Sequence, residues 1–436
     1  MNDTTPSTTE VLRFLHISDI HFSGYWDRHP AADYELAVRR EMLADFTNLH
    51  NTIGPIGGIL VVGDIANWGI ESEYDKATEF LEAAARLIGC APQAIVCVPG
   101  NHDVNRRAQS LAHRHFRFVL RHSPVSDVSD LLLEAMSDAD LARTLLAPFE
   151  AYNNFAAKYQ CDFSADHLTF APKEFALGAL KVRIHGVNSS WLCDGQEKDN
   201  HPTESLVAGT FQAVQISDEP MVLSVALSHH PQNWLRDGSE LFSWFANAHL
   251  VLTGHEHVPA IKQGGTGRPL HIASGAVNPT RSDAGWLPAY NVIELEYLEA
   301  DSTVAVSIHP RVWQGETKAA FNYPPEQTGP DRYLVPVNRQ SNRWERVTAA
   351  PIEPTAAAYT ASLLPPEDVH APEHILIHAI LKAPTDLRHR AARDLGLIED
   401  SEWGEPQLDR LIVRRAAARD VLDRLAAILE EETLHG

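Results

Sequence analysis

Five short motifs in this sequence combine the oxygen and nitrogen donors that divalent metal ions take. In chain order they are Asp19-Ile20-His21, Gly63-Asp64, Gly100-Asn101-His102-Asp103, Ser228-His229-His230 and Gly254-His255-Glu256-His257. Carboxylate, amide carbonyl and imidazole together suit hard and borderline cations such as Mn, Fe or Zn. In an extended segment residues i and i+2 point to one side, so Asp19 and His21 can face one cavity, as can His255 and His257. The glycines ahead of Asp64, Asn101 and His255 permit tight turns. Taken singly the motifs are weak. An Asp-x-His pair alone is more often a helix cap or a polar loop pair. The ordered set, each member closing an apolar run, is what points to a metal centre.

The elements that must position these residues alternate. Val11–Ile17, Gly58–Val62 and Ala94–Val98 read as strands, each ending at a motif. Between them Tyr34–Leu49 has helical periodicity, and in Glu73–Leu87 Tyr74, Ala77, Phe80 and Leu81 recur at helical spacing. This is the pattern of an α/β layer structure, in which loops at the carboxyl ends of strands gather functional groups. Further strands are expected at Lys181–Val187, Val222–Ser228, His249–Leu252, Leu270–Ala273, Asn291–Tyr297 and Thr303–Ile308. The last two alternate apolar and polar residues, as half-buried strands do. Residues 106–158 read as a helical insertion interrupted by Pro124 and Pro148, either a lid or a structural layer. The expected organisation is a domain over 11–347, a Pro/Ala-rich linker over 348–372 and a small helical C-terminal module over 373–436. Helices are expected there at Glu373–Leu381, Asp386–Leu395 and Gln407–Glu432, the last with an apolar stripe.

Composition narrows the class. The chain has 436 residues, 44% hydrophobic and 22% charged, which suits a globular protein with a normal core. Its net charge of −22 argues against a generic duplex-DNA binder, because such a surface repels phosphate at long range. The four cysteines form no C-x-x-C pair and fit reduced thiols in a cytoplasmic setting. Met1–Glu10 lacks an apolar leader core, and no run is apolar enough to span a membrane. P-loop, G-x-S-x-G and dinucleotide fingerprints are missing, which disfavours an NTPase or serine hydrolase.

The fuller segments LHISDIHFSG, VVGDIANWG, CVPGNHDVNR, LSHHP and LTGHEH resemble the calcineurin-like metallophosphoesterase superfamily. They are most similar to the bacterial branch with class III cyclic-nucleotide phosphodiesterases. The resemblance spans roughly Leu12 to Tyr297. It implies a four-layer αββα sandwich with a dinuclear site at one edge. It implies that Asp19, His21 and His257 hold one metal, that Asn101, His229 and His255 hold the other, and that Asp64 bridges them. His229 is preferred to His230 as the first histidine of its pair. The implied reaction is hydrolysis of a phosphodiester by a hydroxide shared between two divalent ions, with His102 giving a proton to the leaving oxygen. Asp103 is a candidate orienting partner for His102, and Asn67 falls where the family carries an outer supporting residue.

Other residues carry less. Asn188 lines the pocket or stabilises a turn, Arg281 is a phosphate contact or a surface arginine, and His16 and Cys97 read as core. A nuclease of the same superfamily is the alternative enzyme, so nucleic acid stands beside nucleotides and other phosphodiesters as substrate. The C-terminal helices offer a surface for a protein partner or for self-association.

Overall fold

The computed structural model describes residues 11–23, 34–168, 170–195, 197, 205–214, 216, 219–263, 269–279, 287–314, 320–325, 327–337, 345–347, 380, 385–398 and scattered positions from 408 to 429. The 348–372 linker, Arg281 and most of the helix expected at Glu373–Leu381 lie outside them. The chain divides into two compact units. One comprises Met1–Ser23, Leu43–Trp313 and Phe321–Ile352, the other Gly24–Met42, Gln314–Ala320 and Glu353–Gly436.

The first unit is a mixed α/β sandwich of two sheets flanked by helices. Strands β1 (Val11–Ile17), β2 (Gly58–Val62) and β3 (Ile95–Val98) pair in parallel. All five residues of β2 are buried, as expected for a parallel strand covered by helices on one face and by the second sheet on the other. The sheet continues antiparallel from β1 into β10 (Ala289–Leu298), β11 (Thr303–Trp313) and β13 (Asp331–Pro336), with β14 (Glu345–Val347) at the edge and the short β12 (Phe321–Asn322) paired to the end of β11. The second sheet has β5 (Leu180–Val187), β6 (Val222–Ser228), β7 (Leu250–Thr253) and β9 (Leu270–Ala273) in parallel. Its antiparallel edges are β4 (Lys173–Leu177) and β8 (Ala260–Gln263). Phe14 of β1 meets Phe175 of β4 edge-on, 4.9 Å between ring centres, one of the contacts that joins the layers.

Helix α1 (Tyr34–Ile53) follows β1, and α2 (Glu71–Ile88) follows β2. Helix α2 buries Tyr74, Ala77, Phe80, Leu81 and Ala84 on one face and stops at Gly89, whose φ of 73° is the left-handed cap that glycine accepts without strain. The stretch after β3 is helical as its composition suggests: α3 (Leu111–His122), α4 (Val128–Ser137), α5 (Ala139–Leu146) and α6 (Glu150–Ala156). Helix α7 (Gly238–Phe245) lies between β6 and β7.

Two expectations need correction. The alternation expected of half-buried strands holds in β10, where Glu294 and Glu296 are only partly buried beside buried Ile293 and Leu295, but it does not hold in β11. Ser307, His309 and Arg311 are buried, and Arg311 is paired with Asp45 of α1 at 2.6 Å. Strand β3 begins at Ile95 because Pro92–Ala94 forms a 3₁₀ turn.

The second unit includes α8 (Thr385–Asp394), matching the helix expected at Asp386–Leu395. Its buried apolar residues include Leu387, Ala391, Leu397, Leu408, Ile412, Leu425 and Leu429. Arg415 and Arg419 donate to the carbonyls of Leu397 and Gly396 at 2.8 and 2.7 Å, closing the turn after α8.

Candidate metal centre

All five motifs sit where parallel strands end. Asp19 and His21 follow β1, Asp64 follows β2, Asn101 follows β3, His229 follows β6, and His255 and His257 follow β7. Both sheets therefore deliver ligand candidates from the same kind of strand end.

Local backbone, more than strand alternation, makes the side chains converge. Asp19, His21, Asp64, His255 and His257 all have positive φ, from 51° to 68°. Each such residue costs roughly 1–3 kcal/mol, and concentration of that cost at one locus marks a constrained site. The extended geometry expected for Asp19-x-His21 and His255-x-His257 is thus replaced by left-handed turns. Gly63, with φ of 80°, serves a turn as expected. Gly100 and Gly254 serve space instead: a Cβ would lie 2.1 Å from Asp64 Oδ1 at the first and 1.9 Å from Ser18 Oγ at the second.

The side chains form overlapping groups whose donor atoms lie within 4.8 Å of one another: Asp19, His21 and His257; Asp19, Asp64 and His229; His21, Asp64 and His102. His257 Nε2 is 3.2 Å from Asp19 Oδ1, and His229 Nε2 is 3.4 Å from Asp64 Oδ1 and 3.2 Å from Asn101 Oδ1. His21 Nε2 lies 3.9 Å from carboxylate oxygens of both Asp19 and Asp64. His229 Nδ1 meets the Val62 carbonyl at 2.8 Å, which orients the ring and leaves Nε2 for the cavity. A further group joins His229 and His255 with His230. His230 Nδ1 is engaged by Ser189 Oγ at 2.8 Å, and His255 packs edge-on to Trp234 at 4.1 Å. That His-His doublet was the only sequence signal for His230, and nothing foretold Ser189 or Trp234.

These residues fit a pair of cations. Both ring nitrogens of His21 and of His255 are buried without a hydrogen-bond partner among the described residues. Such groups are costly unless a ligand or ion engages them. Burial drives His21 down to about 3, and drives His255 well below the ordinary histidine value, so both are neutral and able to coordinate. Burial pushes the carboxylates of Asp19 and Asp64 up, but the histidines around them prevail and hold both below the usual range. His229 goes the other way: burial lowers it, yet Asp64 and Asp19 raise it to about 9. The field that keeps a proton there is the field that attracts a cation.

His102 is half-buried, 4.6 Å from His21 between ring centres. Its Nδ1 lies 3.0 Å from the Asn67 carbonyl. A carbonyl can only accept, so Nδ1 carries the proton and Nε2 is left for exchange. Asn67 therefore supports His102 through its main chain and not through its side chain. Asp103 faces elsewhere. Its oxygens accept from Gly100 N, Ala66 N, Ile65 N and Tyr74 Oη at 2.8, 2.9, 3.2 and 2.9 Å, so it ties the β2 and β3 loops together and the orienting contact to His102 falls to Asn67. Asn188 braces a turn: its side chain accepts from Ser190 N at 2.8 Å. His16 and Cys97 are fully buried in β1 and β3.

Residues 12–259 match the family model described as calcineurin-like phosphoesterase. The chain belongs to that family. Over 95 residues it is 33% identical to an uncharacterized metallophosphoesterase-like protein, YydB, of Bacillus subtilis strain 168, covering 22% of this chain. The match spans only 18% of that relative's length. Among solved structures, this family member is similar to Vps29 of Chaetomium thermophilum, at 12% identity and a TM-score of 0.30, covering 75% of this chain and 100% of the other. A purple acid phosphatase from yellow lupin seeds is similar at 10% identity and a TM-score of 0.33, with 69% and 52% covered.

Proposed function

We propose that this protein is a dinuclear metal-dependent phosphodiesterase. Carrying the reading is one observation: seven donor residues from five strand ends come together, two of them buried carboxylates, with unsatisfied imidazoles among them. Asp19, His21 and His257 would hold one ion, Asn101, His229 and His255 the other, and Asp64 both. Mn, Fe and Zn each suit this set. Two such ions would supply an acidified water and neutralise charge on phosphoryl oxygens.

The chain's own residues do the rest. His229 is preferred to His230 as ligand because its Nε2 faces Asn101 and Asp64. Water attacks phosphorus and the bond to the leaving oxygen breaks; His102, as the imidazolium, passes its Nε2 proton to that oxygen, and the proton shed by the attacking water restores it through solvent. The Asn67 carbonyl fixes the His102 ring for this transfer. Bis-p-nitrophenyl phosphate is the test substrate, followed by cyclic nucleotides. His102→Ala should lower kcat by about 10²–10⁴ while bound metal stays constant. Unchanged kcat would remove His102 from the chemistry.

A second reading, a nuclease acting on single strands, is favoured by α3. That helix exposes Leu111, Arg114, His115 and Phe118, a basic and aromatic face in an otherwise acidic chain. Hydrolysis of single-stranded DNA that falls on Phe118→Ala would select it.

A further inference from the structure

A cavity of about 540 Å³ lies beside, and not within, the candidate metal centre. None of the seven candidate ligands lines it. Its size is inside the roughly 300–1,000 Å³ range of small-molecule sites.

Its floor is built by strand periodicity. Lys262 of β8 stands across from His271 of β9, and Ala260 across from Ala273. Alternate residues share a face, so these four side chains form one surface in which the two alanines leave the room. The wall comes from α7, where Ser239 and Phe242 are three residues apart and thus neighbours on the helix. The Phe242 ring lies parallel to His271, 12° between planes and 5.6 Å between centres. The result is a flat aromatic wall meeting a cationic floor.

Charge gives the ligand its sign. Arg236 and Lys262 both line the cavity, against one carboxylate, Glu256. Arg236 donates to the carbonyls of Leu120 and Ser123 at 2.7 and 2.8 Å, which hold the guanidinium in place without cancelling its charge. Burial and the nearby Lys262 ammonium lower His271, so its ring is a neutral stacking surface. In a chain of net charge −22 a cationic lining stands against the general trend.

We infer that this cavity is a second binding site, for a small phosphorylated ring compound of mononucleotide size. Lys262 and Arg236 take the phosphate, the ring lies along Phe242 and the alanine methyls, and Glu256 accepts from a ring amine or a sugar hydroxyl. An occupant would touch both loops that carry the candidate histidines. Pro231 follows His229-His230 directly, and Glu256 stands between His255 and His257.

The test is calorimetric titration of the full chain with AMP, adenosine and inorganic phosphate. AMP should saturate at one per chain and bind more tightly than phosphate or adenosine. Lys262→Glu should weaken AMP at least about tenfold, since it reverses a charge beside the phosphate. Phe242→Leu should weaken AMP while leaving phosphate alone. Asp64→Asn, at the separate metal centre, should leave AMP binding within about twofold, as independent sites do. The inference is overturned by no AMP binding at millimolar concentration, by phosphate binding as tightly as AMP, or by AMP binding that survives Lys262→Glu but is lost in Asp64→Asn. Thermal unfolding of Lys262→Glu identical to the parent excludes misfolding, because that side chain is exposed.

Discussion

His102 owes its ring orientation to a main-chain carbonyl, and that carbonyl depends on a glutamate in the first turn of the next helix. Glu73 Oε2 accepts from the backbone of Asn67 and Trp68 at 3.2 and 2.8 Å, fixing the loop whose Asn67 carbonyl holds His102. Burial raises Glu73 to about 7, outweighing those bonds. The folded protein thus keeps a proton that the unfolded chain releases near the ordinary value of 4.5. Stability from this group is full below about pH 4.5 and is lost as pH rises through about 7. Gln mimics the protonated acid, so the melting temperature of Glu73→Gln should gain on the parent between those values and then run parallel. Identical pH profiles would show that Glu73 ionises freely. The types and order of the donor residues were legible in the sequence, because metal chemistry restricts them. The left-handed backbone at Asp19, His21 and Asp64 was not, since no spacing rule announces a positive φ at Asp or His. Nor was the Asn67 carbonyl, because every residue has one.

Among the elements, α1 is tied to the first sheet by a buried cluster. Arg311 of β11 gives two hydrogen bonds to Asp45 of α1, at 2.9 and 2.6 Å, and Tyr290 of β10 donates to the same carboxylate. Removing one partner of a buried pair strands the other charge. Asp45→Ala should therefore cost about 3–5 kcal/mol in urea unfolding, with Asp45→Leu combined with Arg311→Met recovering much of it. A loss below about 1 kcal/mol for Asp45→Ala would mean that Arg311 finds water instead. Parallel strands such as β2 were legible because burial on both faces demands a continuous apolar run. Edge strands β4 and β8 were not, for KEFAL and AIKQ carry the polar residues that an edge tolerates. The pairing of Arg311 with Asp45 hid β11's second buried face, since a charged residue reads as exposed until its partner 266 positions away is known.

For the molecule as a whole, net charge sets the approach of substrate. At −22, the surface repels an anionic phosphodiester, and salt screens that repulsion. Accordingly kcat/KM for bis-p-nitrophenyl phosphate should rise as ionic strength goes from about 0.01 to 0.15 M. A fall would show that local cations, such as those of α3, govern the encounter, and would favour the nuclease reading. The helical C-terminal module was legible from its apolar stripe, and a docking role for it with a partner or a second copy remains a proposal. No described helix is long and apolar enough to cross a membrane.

Counting bound metal tests the central claim most directly. Elemental analysis of the purified full chain reconstituted with Mn should give two ions per chain, and Asp64→Asn, which removes the carboxylate common to both donor groups, should retain at most one and lose hydrolysis. A parent chain that holds one ion or none while hydrolysing phosphodiesters at its full rate would contradict the dinuclear centre.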